Sequence, residues 1–385
     1  MNKKLLAVAV ASALAVPVTA SAQVTISGIF KVGISQISAG GTKTPGRAND
    51  SQTRVDDNSS RILFNLTEDL GGGLAAIAQL DLRFAPDQAG AAPASNPIGS
   101  GNTYVGLRSN SWGALTLGRW DLHYGSQPDD LATKAGALMA SSVSLMDYQN
   151  LGSVAVANAT RTANVIKWDS PTWGGFNLTA AYSTSPLAAS SEGDMATIAA
   201  TQSKNSGSGL NAKGTFTGAN WQLGASYWDA KAEASLTQGA TTATAQTSTA
   251  FWGYFRFGGF KIGAAVNQAE LKANDGAVTL SKRQSFTIPG SYTTGAHNFY
   301  AHYTEAGTDD AQQYTGLDTK AKMYAFAYVY DLSKRTSVGL TYAKIDNGTA
   351  ARYNFFTGAS LGSADATPGL GEDLQLIQAT VRHAF

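Results

Sequence analysis

Apolar residues recur at every second position through most of this chain, and that spacing limits the possible folds more than any other feature. A side-chain period of two belongs to β-strands, in which successive residues point to opposite faces. From Val24 one face carries Val24, Ile26, Phe30, Val32 and Ile34, and the other Thr25, Ser27, Lys31 and Ser35. Residues 60–67 repeat the pattern, with Ile62, Phe64 and Leu66 opposite Arg61, Leu63, Asn65 and Thr67. After the turn Glu68-Asp69-Leu70-Gly71-Gly72-Gly73, the chain returns through Leu74, Ala76, Ala78, Leu80, Leu82 and Phe84, opposite Gln79, Asp81 and Arg83.

The same unit of strand, short turn, strand and long loop continues to Phe385. It gives sixteen strands, with long polar connections at 37–58, 185–207 and 346–372. Many evenly spaced alternating segments indicate a barrel or a sandwich. A sandwich hides its apolar face in a shared core, whereas a barrel in lipid turns that face outward and keeps polar residues inside. Four features favour lipid: an N-terminal signal peptide, the even strand count, the short and long asymmetry, and aromatics near strand ends (Trp112, Trp168, Trp173, Trp221, Tyr324, Tyr330). Sixteen strands also enclose a space too wide for their own side chains to fill. The expected fold is therefore all-β: a sixteen-stranded antiparallel transmembrane β-barrel around an aqueous lumen.

The N-terminus supplies an address. Lys3 and Lys4 precede an uncharged apolar core from Leu5 to Val16, and Ala20-Ser21-Ala22 reads as a small-residue cleavage site. That is a secretory signal peptide over residues 1–22, and its core is too short to span a bilayer as a helix. The barrel then occupies residues 23–385.

One stretch breaks the pattern. From Trp120 to Thr160 there is no alternation, only Asp121, the pair Asp129 and Asp130, a run of small apolar residues from Ala135 to Ala140, and Asp147. A connection this long is usually functional or disordered, and the apolar run argues for a packed loop.

Other functions are poorly served. Without Lys3 and Lys4 the 28 basic residues become 26 against 27 acidic ones. That balance leaves no electrostatic footprint for nucleic acid. There is no cysteine, hence neither a disulfide framework nor a thiolate metal site. His123, His297, His302 and His383 lack metalloprotease spacing, and the one G-x-S-x-G string, Gly358 to Gly362, falls inside the long polar connection at 346–372 and not on the strand-to-helix turn a nucleophile elbow needs. Neither catalysis nor a cofactor is expected.

Several motifs resemble the general porins of Gram-negative bacteria, specifically the beta-proteobacterial branch. They are Ser59-Ser60-Arg61 with the 68–73 turn, Tyr104-Val105-Gly106-Leu107-Arg108, Leu117-Gly118-Arg119, residues 164–171, residues 332–336, and Val381-Arg382-His383-Ala384-Phe385. The resemblance implies a homotrimer of sixteen-stranded barrels in the outer membrane, among its lipid and lipopolysaccharide. It also implies a third long loop, here about 120–160, folded inward as a constriction. Phe385 resembles the terminal residue that barrel-assembly machinery recognises. Parity places it on the lipid face with Val381, Ala379 and Ile377.

Parity also assigns the lumen its charges. Lys31, Arg61, Arg83, Arg161 and Lys167 fall on the polar face, and Asp121, Asp129, Asp130 and Asp147 on the inserted loop. Arg61 and Arg161 resemble constriction arginines of the family. Basic wall and acidic loop would set a field across the narrowest section. Arg119 shares parity with Leu115 and Leu117, so it is expected at a strand end or subunit interface, paired with a carboxylate. The reading is a channel for passive diffusion of small hydrophilic solutes and ions, with mild anion preference. The alternatives are a substrate-selective channel using Trp120, Tyr124 and Tyr148, and an adhesion barrel presenting its long loops.

Overall fold

The computed structural model describes residues 23–41, 51–87, 99–123, 128–147, 161–184, 207–232, 243–273, 278–356 and 368–385. The expected signal peptide, Tyr124 and Tyr148 lie outside them. In chain order the first strands are β1 (Gln23–Gly41), β2 (Ser51–Asp57), β3 (Arg61–Gly71), β4 (Leu74–Arg83), β5 (Thr103–Ser109) and β6 (Gly113–Trp120). Next come β7 (Thr162–Asp169), β8 (Phe176–Ser183), β9 (Gly207–Thr217), β10 (Trp221–Ala232) and β11 (Ala243–Phe257). The last are β12 (Phe260–Ala273), β13 (Val278–Thr294), β14 (His297–Ala306), β15 (Ala321–Asp331), β16 (Thr336–Asn347) and β17 (Glu372–Ala384). Apart from β2 and β3, which both pair with β1, consecutive strands pair antiparallel, and β1 with β17 closes the ring from Ile29 opposite Ala384 to Gly41 opposite Glu372.

Seventeen segments make sixteen staves, because β2 and β3 are two halves of one stave, both paired to β1. Between them lies a bulge: Ile29 faces Arg61 while Val32 faces Asp57, so the three residues 58–60 oppose the two residues 30 and 31. Ser59 takes the extra residue in left-handed backbone at φ 76°, and the Asp57 carboxylate accepts the Ser59 and Ser60 N–H groups at 2.9 Å each. A bulge shifts parity by one. Thus Gln52, Arg54 and Asp56 share the inward face with Arg61 and Leu63, although even and odd numbers alternate elsewhere.

The expected loop at 37–58 needs correction at both ends, since β1 runs on to Gly41 and β2 begins at Ser51. Beyond the hydrocarbon both faces of a strand meet water, so the alternation fades while the backbone ladder continues.

Outside, the wall is greasy. Val24, Ile26, Ile34, Val105, Leu117, Leu223, Phe251, Ile262, Leu340, Ile377 and Val381 are all exposed. A continuous apolar surface of this extent is incompatible with water and suits a bilayer. No described helix is long and apolar enough to cross a membrane, so the crossing is made by strands. Near the short turns a belt of rings runs across neighbouring strands. Phe257 meets Phe260 at 5.3 Å, Phe260 meets Tyr292 at 4.2 Å, and Phe299 meets Tyr328 at 5.1 Å. Phe385 faces outward as parity expects; its backbone exchanges hydrogen bonds with Gly28 at 3.0 and 3.1 Å, sealing the seam.

Candidate functional site: the lumen and its inserted loop

After β6 the chain turns into the barrel, and residues 128–147 lie against the inner wall with Leu131 and nearly all of 135–147 buried. The loop holds a 3-10 turn at Leu138–Ala140 and one helical turn, α1 (Val143–Met146). One turn of helix is not stable alone, so its ends are fastened by the wall. The carbonyl end of α1 is gathered by Arg283 Nη1 on Leu145 O at 2.8 Å, and by Asn267 Nδ2 and Ser285 Oγ on Met146 O at 3.1 and 3.3 Å. The entry to α1 is held by Asp129, which accepts the Leu131 N–H at 2.9 Å and the Ser142 N–H at 2.8 Å.

Further fasteners ring the loop. His302 Nε2 meets Ala140 O at 2.7 Å; Thr341 Oγ1 accepts the Ala137 N–H at 2.9 Å; Asn58 Oδ1 accepts the Leu138 N–H at 2.8 Å. Lys134 bridges to Asp331 at 2.5 Å, and Lys261 to Asp130 at 2.6 Å. Two inward glycines let the loop come close. A Cβ at Gly339 would stand 2.4 Å from Ala135 O, and one at Gly263 would stand 2.6 Å from Pro128 Cγ.

A second segment also enters. Beyond β16, Tyr353, Phe355 and Phe356 are buried, and the Phe356 N–H donates to Ser144 Oγ at 2.8 Å. Arg283 lies over the Tyr353 ring at 5.5 Å. The inner wall beneath both insertions is apolar: Met323, Ala325, Ala327 and Val329 of β15, Ala343 and Ile345 of β16, Leu374 and Leu376 of β17 form one buried cluster with Leu131, Ala135 and Ala137.

The cationic wall begins at the edge of this apolar sector and runs across β17, β1, β3 and β4. Arg61 stands directly across from Arg83, and Lys31 across from Arg382, all inward. Arg61 takes its electrostatic neighbours from Arg83, Asp81, Asp121 and Arg382. Arg83 is answered by Asp81 at 3.1 Å and by Ser59 Oγ at 2.8 Å, whereas Lys31 donates to Ala132 O of the loop at 2.7 Å. Among the described residues, Arg61 and Arg382 make no ion pair. Arg54, inward on β2, pairs with Asp56 at 2.5 Å and reaches Met139 Sδ at 3.6 Å.

Around Trp120 the arrangement is tighter. Tyr104 stacks on its indole with centroids 4.1 Å apart, and Lys167 Nζ sits 4.0 Å over the ring while pairing with Asp169 at 2.5 Å. A stacked ring and an ammonium at such distances take one face each, so Trp120 offers no free face to a solute. Nearby, the His123 imidazole bonds Ser226 Oγ at 2.9 Å, and burial pushes it down to about 4, so it stays neutral at ordinary pH.

Arg161 precedes β7 in left-handed backbone at φ 47°, and Asn164 at φ 55° breaks the alternation that follows. Simple parity therefore does not carry from Lys167 back to Arg161. The Arg161 N–H instead donates to Asp121 Oδ1 at 2.7 Å, and its carbonyl accepts Arg119 Nε at 2.8 Å. Arg119 is thus at a strand end as expected, though its hydrogen-bond partner there is a carbonyl. Of the loop acids, Asp121 and Asp129 hold backbone, Asp130 is paired to the wall, and Asp147 is buried directly after α1. Other acids are engaged too: Asp56 pairs with Arg54, Asp57 accepts the Ser59 and Ser60 N–H groups, and Asp309 accepts from Ser281 Oγ and from the Lys282 and Ala311 N–H groups, while Asp310 is exposed.

Parity applied without a gap would have found Arg382, Lys213, Lys261 and Arg283, all inward. Arg54 was hidden in what read as loop.

A closed barrel, apolar outside and polar within, narrowed by its own inserted loop, defines a transmembrane channel of the outer-membrane type. A model of the Gram-negative porin family matches residues 7–350, and the chain belongs to that family. An outer membrane porin protein of Bordetella pertussis is 26% identical over 88% of this chain and 92% of its own length. Outer membrane porin protein 32 of Delftia acidovorans is 27% identical, with both chains covered in full. Among solved structures, the anion-selective porin from Comamonas acidovorans superposes with a TM-score of 0.68 at 23% identity, covering 95% of this chain and 100% of that one. OmpT of Vibrio cholerae in its trimer form gives 0.63 at 14% identity, covering 95% and 100%. This chain is accordingly an outer-membrane porin, a water-filled channel through which small hydrophilic solutes and ions diffuse.

Proposed function

We propose that this porin passes anions in preference to cations and works as a homotrimer. The observation that carries the first part is the inward pair Arg61 and Arg382, flanked by Arg83 and Lys31, with no carboxylate bound to either arginine among the described residues. Fixed guanidinium charge does not titrate away, and low-dielectric walls concentrate its field on passing ions. Of the loop acids, Asp130 is neutralised by Lys261; Asp129 and Asp121 are anchored by backbone N–H groups, which leave their charge in place, and of the two Asp121 is the one that acts on Arg61, against the like charges of Arg83 and Arg382. An anion-selective relative shares the fold, which supports the same reading.

Reversal potential in a planar bilayer under a salt gradient tests it, with a cation-directed potential as the overturning result. Arg61→Ser and Arg382→Ser each reduce the anion preference on this account, and an unchanged permeability ratio removes that residue from its role. The occupied faces of Trp120 count against a substrate-selective site built on it.

The trimer is supported by the outer face of β3 to β6. It presents Ile62, Leu66, Leu80, Leu82, Val105, Leu107, Leu115 and Leu117 with Phe64 as the one ring among them, where β11 to β15 carry a dense aromatic belt. A monomer mass for the purified protein in mild detergent would sink this part. On the same reading residues 1–22 are the cleaved export signal, and Phe385 is the assembly signal. Sequencing of the mature N-terminus, expected at Gln23, checks the first.

A further inference from the structure

On the arc of the ring away from Arg61 and Arg382, one inward cation is left uncommitted. Counted from β1 with β2 and β3 as a single stave, β9 is the eighth of sixteen, so it stands across the lumen from β17 and β1. Its Lys213 points inward between Thr179 of β8 and Ser226 of β10. Asn211, two residues toward the long loops, is fully buried, whereas Lys213 is half-buried, so this is where β9 emerges from beneath the root of the inserted loop.

The neighbours of Lys213 are already engaged. The Thr179 hydroxyl donates to Asp169 at 2.6 Å, Ser226 Oγ is bonded to His123 and Asn211 at 2.9 and 3.1 Å, and Lys167 is paired with Asp169. Lys213 itself makes no ion pair among the described residues. Arg108 and Arg256, the other inward cations of β5 to β11 without a salt bridge among those residues, sit at the short-turn rim, one residue inside the ends of their strands. A single carboxylate ties the two arcs together. Asp121, at the loop root, acts electrostatically on Lys213 and on Arg61 alike. It is fixed there, with its N–H on Asn102 Oδ1 and its Oδ1 on the Arg161 N–H, at 2.7 Å each. The gap between the arcs at this level is therefore narrow enough for one anionic group to feel both.

We infer that Lys213 is a specificity-determining residue of the channel: the ammonium that meets an anion from the side opposite Arg61 and Arg382, and so favours divalent oxyanions over halide. The inference rests on the anion-preferring reading of the same lumen and names the class of anion. A dianion gains from each fixed charge twice what chloride gains, and its several oxygens accept charge-assisted hydrogen bonds from both sides at once. An ammonium on a long flexible stem suits the far side, because it follows the ion where a rigid fork would fix it. Asp121, held where such an anion passes, keeps the grip weak enough for release, which conduction requires.

The test is the sulfate-to-chloride permeability ratio of the purified porin in a planar bilayer, read from reversal potentials with potassium sulfate on one side and potassium chloride on the other at equal potassium concentration. Lys213→Gln is expected to lower the ratio about fivefold, the effect of one extra unit charge on an ion met at about 4 Å across water. Lys213→Arg keeps the ratio near its original value, and Asp121→Asn raises it. Lys213→Met serves in place of the Gln variant should that one fail to assemble. An unchanged ratio in the uncharged variants overturns the proposal. So does an equal fall in Lys213→Arg, which would make the packing of β9 and not its charge responsible. The two readings fail separately: a cation-directed potential across a potassium chloride gradient sinks the anion preference, whereas the comparison of two anions at equal potassium reads Lys213 alone.

Discussion

The inner wall of β15 to β17 and the inner wall of β3 and β4 are built alike, from strands of one closed sheet facing one lumen. The first presents Met323, Ala325, Ala327, Val329, Ala343 and Ile345 inward; the second presents Arg61, Asp81 and Arg83. Strand β15 is apolar on both faces, with Tyr324, Phe326 and Tyr330 outward, yet no apolar inner residue there meets water, because loop residues 131–146 cover them. The wall is greasy inside on β15 and β16, where its own loop supplies the second layer, and charged on β3 and β4; the cations that do lie under the loop, Arg283 and Lys31, are spent on loop carbonyls. Small residues let the loop lie flat against one sector, and β3 and β4, a few staves round the ring, keep their cations for the remaining water.

That contrast can be broken on the covered side first. Gly339→Leu places atoms where the Ala135 carbonyl and Val329 now sit, at 2.4 and 3.0 Å from a Cβ. Overpacking of this kind costs about 1–3 kcal/mol or more, and the loop must lift. The expected result is a lowered Tm with a raised, noisier single-channel conductance. An unchanged trace would mean that the loop does not rest on β16 in the membrane.

Arg283→Met comes next. It strips the buried cation from the Leu145 and Met146 carbonyls, with a loss of about 1.5–3 kcal/mol for hydrogen bonds to a charged group, read by thermal unfolding in detergent. Asp129→Ala removes the acceptor of the Leu131 and Ser142 N–H groups and should cost about 1–2 kcal/mol. A loss well below that would show that the loop does not need its own staple.

On the bare side the same kind of truncation has a different signature. Arg61→Ser relieves like-charge crowding with Arg83 and Arg382, so stability should stay within about 0.5 kcal/mol while the permeability ratio moves toward cations. A large drop in Tm there would erase the distinction between the two walls. At neutral pH the last effect vanishes, because it concerns acid conditions alone. His123 is held at about 4 by burial against an ordinary 6.5, so between those values the unfolded chain binds the proton before the folded one does. Stability therefore falls as pH drops through that window. His123→Asn should flatten the fall, and an identical pH profile in the variant would acquit the histidine.

Much of this was legible beforehand. Alternation at Val24 to Ile34 and Ile62 to Leu66 places those side chains on the lipid face where the structure has them, and the missing alternation at 120–160 marked the inserted loop. Parity failed at the bulges. Bulges at Ser59 and Asn164 change which face a number belongs to, so Arg54 and Arg161 could not be assigned by counting. The partners of Lys31, Lys134 and Asp130 were also hidden, since Ala132, Asp331 and Lys261 lie far away along the chain.

By itself the sequence determined a two-faced ribbon, its turns, and hence a ring with hydrocarbon outside and water within, because side-chain parity is a local property of extended backbone. Only the tertiary structure decided which inward residues line water and which lie under the loop. That depends on contacts between segments a hundred or more residues apart, and no local period records them.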